Sequence, residues 1–297
     1  MVELLADAER GKFAVCYCES WNLESLQAVV EAAEELQAPT IVGFNGGFLM
    51  HSSRSRAEEL EYYAGIGLAA VQASNVPMAL LLNESDNLSQ IQHAMELGFN
   101  TIMVENANLE FDEYRRLVKK VVAEAHVREV SVEAQIGHLP CGARGSSAGS
   151  ELTDPNQARA FIEETGIDAL GISIGNVHIQ TAGKAALDLE TLRQIRNATE
   201  APLVLHGGTS LPPECMGEAI ALGVAKLNFG TNLKQAYLEA VRSKLAEYQP
   251  PVDPHPFLGK GGVDDIMVAG REAVKQKVKD LIQSYGYAGK KVAVNVG

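Results

Sequence analysis

Short apolar runs alternate with amphipathic stretches along almost the whole chain. Eight runs read as strands: 13–18, 40–44, 78–83, 101–105, 130–136, 169–175, 203–208 and 226–230. Most are continuously apolar, as parallel strands covered on both faces require. Between them apolar residues recur at helical spacing. Segment 23–37 carries Leu26, Val29, Val30, Ala33 and Leu36; segment 87–97 carries Leu88, Ile91, Ala94, Met95 and Leu97. Segment 111–127 carries Tyr114, Leu117, Val118, Val121, Val122 and Ala125. Thr153-Asp154-Pro155 reads as a capped helix start with proline in the first turn. Further helices are expected over 212–222, 232–248 and near 268–283.

Strand-then-helix units in series, with no break in composition, predict an α/β fold. The expected architecture is a closed (β/α)8 TIM barrel with a C-terminal helical extension, one domain over 1–297. An open doubly wound sheet is the alternative. It requires misread strands, and no G-x-G-x-x-G follows the first one. Two stretches leave the repeat. Segment 137–150, rich in Gly and Ser, reads as a mobile loop over the barrel mouth. Segment 249–262 links to the last helix, which is expected to pack on the barrel or on a neighbouring subunit.

Composition narrows the class. With 297 residues, 46% of them apolar, the chain can bury a large core. A formal charge of −13 argues against nucleic acid as partner and gives no attraction to an anionic membrane. It leaves room for a phosphorylated substrate, which needs only local donors. No apolar stretch reaches spanning length and the first residues show no secretory pattern, so the cytoplasm is expected. Cys16, Cys18, Cys141 and Cys215 match no disulfide framework or zinc knuckle and read as reduced, packed thiols. Cys16 and Cys18 are expected on opposite faces of the first strand.

Chemistry-bearing residues gather where strands end. His178 follows the sixth run and His206 ends the seventh, so a barrel brings both imidazoles to its C-terminal mouth. The third run ends in Asn83-Glu84, the fourth in Glu105-Asn106, and the fifth carries Glu133 and Gln135 on one side. Two imidazoles and a carboxylate suit zinc with an open coordination position. Glu84 reads equally as that carboxylate or as a solvated rim residue. His206-Gly-Gly-Thr-Ser and Asn228-Phe-Gly-Thr231 supply glycines that let backbone N–H groups approach an anion. Loops after strands seven and eight commonly bind phosphate in such barrels.

The runs Leu203-Val-Leu-His-Gly-Gly-Thr209, Ala169-Leu-Gly-Ile-Ser-Ile-Gly-Asn-Val-His178, Val130-Ser-Val-Glu-Ala-Gln-Ile-Gly137 and Thr153-Asp-Pro together resemble the class II, metal-dependent fructose-bisphosphate and tagatose-bisphosphate aldolases. The resemblance extends over nearly the whole chain. It implies a (β/α)8 barrel, a homodimer or homotetramer, and zinc-dependent cleavage of the C3–C4 bond of a ketose phosphate. By motif match His178 and His206 are two zinc ligands. The family's H-L-D-H is matched by Leu81-Leu82-Asn83-Glu84, so Glu84 takes the third ligand position and Asn83 that of the catalytic aspartate. An amide cannot exchange a proton with a hydroxyl, so the usual acid/base group is lost.

Other matched positions differ as well. Glu105 replaces an aspartate, Gln135 a glutamate, Ile179 a glycine, Ala182 a lysine, Gly230 an aspartate and Thr209 a serine. Glu133, Asn228 and Thr231 are kept, and Glu151 is a candidate for the loop glutamate. The resulting expectation is an aldolase-type lyase acting on a sugar phosphate. Glu84, His178 and His206 bind Zn2+ or another divalent ion, and Glu105 or Glu133 carries the proton. Asn83 bonds a substrate hydroxyl, and Gly207, Gly208, Thr209, Asn228 and Thr231 hold the anionic end. An isomerase or epimerase, and a non-catalytic sugar-phosphate binder, remain alternatives.

Overall fold

In the computed structural model, eight parallel strands close into a barrel in sequence order. They are β1 Val15–Ser20, β2 Thr40–Asn45, β3 Met78–Ser85, β4 Thr101–Val104, β5 Ser131–Ile136, β6 Ala169–Ile172, β7 Leu203–Leu205 and β8 Val224–Phe229. Closure pairs β1 with β8, Tyr17 opposite Asn228. The structure describes residues 1–106, 109–140, 151–179 and 186–286. Most of the loop expected over 137–150, with Cys141, and the position Ala182 lie outside the described residues.

The strands present two apolar faces. Tyr17, Ile41, Leu81, Met103, Ala169 and Val204 fill the barrel interior. Cys16, Cys18, Val42, Phe44, Leu80 and Leu82 pack outward under the helices. Cys16 and Cys18 therefore share one face. The expectation of opposite faces is corrected, because residues two apart in a strand point the same way.

The expected helices appear as α2 Leu23–Leu36, α5 Leu88–Glu96, α6 Phe111–His126, α7 Pro155–Thr165, α9 Pro213–Ala221, α10 Thr231–Leu245 and α11 Ile266–Tyr285. The side chain of Asp154 accepts from Gln157 N and Pro155 opens α7, as its sequence indicates. The pattern did not single out α1 Val2–Gly11, the short α3 Gly46–Leu49, α4 Leu60–Ala73 or α8 Leu189–Ala198. In α4 apolar residues run around the whole helix, from exposed Tyr62 to buried Ala64, so no clean stripe marks it. In α1, Leu5 and Ala8 are fully buried and join the inner cluster, closing the barrel beneath β1.

The C-terminal helix packs on its own barrel, against α2 and α10. Arg271 pairs with Glu31, and Lys279 Nζ lies 2.7 Å from Glu35 Oε2. Val274, Val278 and Ile282 are buried along its inner face.

Candidate active site

Local backbone features bring the acidic and imidazole groups together. The β3–β4 register shifts between Leu82 and Ser85, and Glu84 adopts φ 51°. In a regular strand Asn83 and Glu84 would face opposite ways; the bulge lets both reach the mouth. Such a non-glycine conformation costs about 1–3 kcal/mol, supplied by the surrounding contacts. Asn83 Nδ2 donates to Glu84 Oε1 at 2.9 Å, and Asn45 Nδ2, from the end of β2, donates to Oε2 at 2.7 Å.

β6 and β7 end before the expected limits, and the chain after each turns into the site. Buried Asn176 fixes both turns. Its Oδ1 accepts from Ile174 N at 2.9 Å, and its Nδ2 donates to the His206 carbonyl at 3.1 Å. Gly207 follows at φ 71°, where a Cβ would lie 2.1 Å from the Val177 carbonyl oxygen. Only glycine fits that close approach.

One ligand atom from each of Glu84, His178 and His206 lies within 4.8 Å of the others. The two rings are nearly parallel, their centroids 5.5 Å apart. His178 Nε2 and His206 Nδ1 are buried without a hydrogen-bond partner. His206 Nδ1 is 3.3 Å from Glu84 Oε1. Two inward imidazole nitrogens beside a carboxylate oxygen form a donor set that a divalent cation satisfies, so these residues fit the expected metal.

Glu133 lies behind this group. It is fully buried, with Oε1 2.9 Å from His206 Nε2 and Oε2 accepting from Lys226 Nζ at 2.7 Å. That carboxylate orients the imidazole so that Nδ1 faces the site. Burial alone raises a carboxyl pKa, but Lys226 and His206 hold Glu133 below its usual range. Burial also opposes the charge on His206, yet Glu133 and Glu84 push its pKa up to about 9. For His178 burial dominates and lowers the pKa, against the pull of Glu84.

Two cavities meet at the Glu84 and His178 side chains. One, of ≈330 Å³, is also lined by Asn83, His206, the Gly207–Thr209 turn, Asn228 and Thr231. The other, of ≈730 Å³, is lined by Glu105, Gln135, His138 and Glu151. The first contains every residue expected at the anionic end. The second contains Glu105, whose pKa burial and the charge of Glu84 raise to about 7. Asn106 N donates to Glu105 Oε1 at 3.0 Å. Asn83, 2% exposed, leaves its Oδ1 without a partner. His138 and Glu151 are joined by an antiparallel bridge and are not part of the ligand triad.

A model of the family described as fructose-bisphosphate aldolase class-II matches residues 1–290. The chain belongs to this family of metal-dependent aldolases. A fructose-bisphosphate aldolase of Geobacillus stearothermophilus is 33% identical over 292 residues, 98% of this chain and 97% of that protein. Among solved structures, the YdjI aldolase of Escherichia coli K12 is 30% identical with a TM-score of 0.79, covering 97% of each chain. A putative fructose-1,6-biphosphate aldolase of Coccidioides immitis shares the fold, with a TM-score of 0.81 at 24% identity over 97% of this chain and 96% of that one. The aldolase has no helix among the described residues long and apolar enough to cross a membrane.

Some site residues of the aldolase escaped the sequence reading although a signal was present. Asn45 ends a strand at the same mouth as His206. Lys226 places a charge inside β8, and a fully buried lysine requires a carboxylate partner. Asn176 carried no such signal, since its role is to bond two backbone turns.

Proposed function

We propose that Glu84, His178 and His206 hold a zinc ion, or another divalent cation, in an aldolase that cleaves and forms the C3–C4 bond of a ketose phosphate. The observation that carries this reading is the convergence of three donor groups, two with unpartnered buried nitrogens, where two cavities meet. A divalent cation held by Glu84, His178 and His206 would supply Lewis-acid stabilisation of the negative charge that develops as the C–C bond breaks.

The chain's own groups do the rest. The Gly207–Thr209 turn, Asn228 and Thr231 hold the anionic end in the smaller cavity. Asn83 Oδ1 accepts a hydrogen bond from a substrate hydroxyl. Glu105, poised near neutrality on the other side, takes the C4 hydroxyl proton in cleavage and returns it in condensation. Glu133, with Lys226 behind it, positions His206 and carries no proton to substrate. The resemblance further supports a homodimer or homotetramer.

The test combines metal analysis of purified protein with a screen of ketose phosphates for aldehyde release. Wild type should carry one divalent ion per chain, and Glu84→Ala should lose metal and activity together. Full occupancy in that variant removes Glu84 from the ligand set. Ketose interconversion without aldehyde release replaces the lyase with an isomerase.

A further inference from the structure

Lys234 lies one turn into α10 and was not among the residues expected at the site. Its Nζ is 2.5 Å from Glu19 Oε1, at the end of β1. The ammonium also lies 4.5 Å from the Phe48 ring centroid and 5.7 Å from that of Trp21. An ammonium has three donors, so the Glu19 contact leaves capacity for another acceptor. Gly230 makes this arrangement possible. A Cβ there would lie 2.4 Å from Glu19 Oε2, in the space the carboxylate occupies.

Lys234 shares its cavity wall with Gly207, Thr209, Thr231 and His206. Asn228, 6% exposed on the same wall, leaves its Oδ1 buried and unpartnered. The cavity therefore joins a tethered cation, a glycine turn and an unsatisfied amide beside the metal triad.

We infer that Lys234, held in place by Glu19, binds the phosphate end of the substrate and selects phosphorylated ketoses over neutral ones. The inference rests on the aldolase reading, since it presumes that this cavity receives the substrate. Glu19 acts through Lys234 as a positioning residue, and Gly230 leaves it room.

Calorimetric titration of the zinc-loaded protein tests this with dihydroxyacetone phosphate, and with dihydroxyacetone as the neutral control. Lys234→Met should weaken the phosphate ester by about tenfold or more, with unchanged zinc content and unchanged response to dihydroxyacetone. Lys234→Arg, which keeps the charge, should bind close to wild type. Equal affinity of wild type and Lys234→Met for the phosphate ester overturns the assignment. So does a wild type that binds neither compound. If the methionine variant loses affinity while no ketose phosphate is cleaved by wild type, Lys234 stands and the aldolase reading falls.

Discussion

Glu105 and Glu133 are both glutamates near one metal triad, and their surroundings divide their work. Glu133 is locked between His206 and Lys226 with no exposure. Glu105 borders the larger cavity, and its environment moves its pKa to about 7. Burial is the main cause; Glu84 and Asp86 add to it, while His206 and the Asn106 N–H oppose it. Tyr114 of α6 also faces the group. In its proposed role Glu105 takes a proton during cleavage and must be ionised, so kcat should fall as pH drops through this pKa. A bound cation favours the carboxylate, which places that acid limb at or below about pH 7. Glu105→Gln should cost roughly 10²–10⁴ in kcat and abolish the limb; a pH–rate profile that keeps it assigns the proton to another group. For the buried pair, Lys226→Met leaves Glu133 without its cation and should cost about 3–5 kcal/mol in urea unfolding. An unchanged midpoint denies the pair its role.

At the scale of elements, the bulge at Glu84 shows why its role stayed open in the sequence. Alternation along β3 puts neighbours 83 and 84 on opposite sides, so a reading from spacing leaves one of them outside the site. The register shift removes that limit. His178 and His206 were easier to read because each follows an apolar run at the barrel mouth, although β6 stops at Ile172 and β7 at Leu205 and both side chains lie in the turns beyond. Element α1 went unread for another reason: ten residues with a short apolar stripe gain their place only from the barrel floor they cover. Leu5→Ala there should cost about 2–5 kcal/mol by leaving a cavity under the strands. The urea midpoint reports it, and metal content should not move. A loss below ~1 kcal/mol means the floor closes without α1.

For the molecule as a whole, the barrel separates stability from chemistry. The apolar interior and α1 sit below, while the triad and both cavities sit at the strand ends. The metal proposed at the triad would couple the two. A ligand bound only by the folded state adds about 2.7 kcal/mol at a free concentration 100 times its Kd. Chelation should therefore lower Tm, and added zinc should restore it in wild type but much less in Glu84→Ala. Identical Tm with and without chelator places the metal elsewhere.

The periodicity of apolar runs was sufficient for the order of the eight strands, because each continuous run must be covered on both faces and a barrel achieves that in series. Motif spacing was sufficient for His178, His206 and the glycine turn. Folding supplied what depends on approach between distant segments. It set Glu133 against His206 and Lys226, Glu19 against Lys234 across the gap left by Gly230, and Asn176 between two turns. These contacts join residues on different strands and helices, and neither hydrophobic period nor local spacing encodes which side chains meet there.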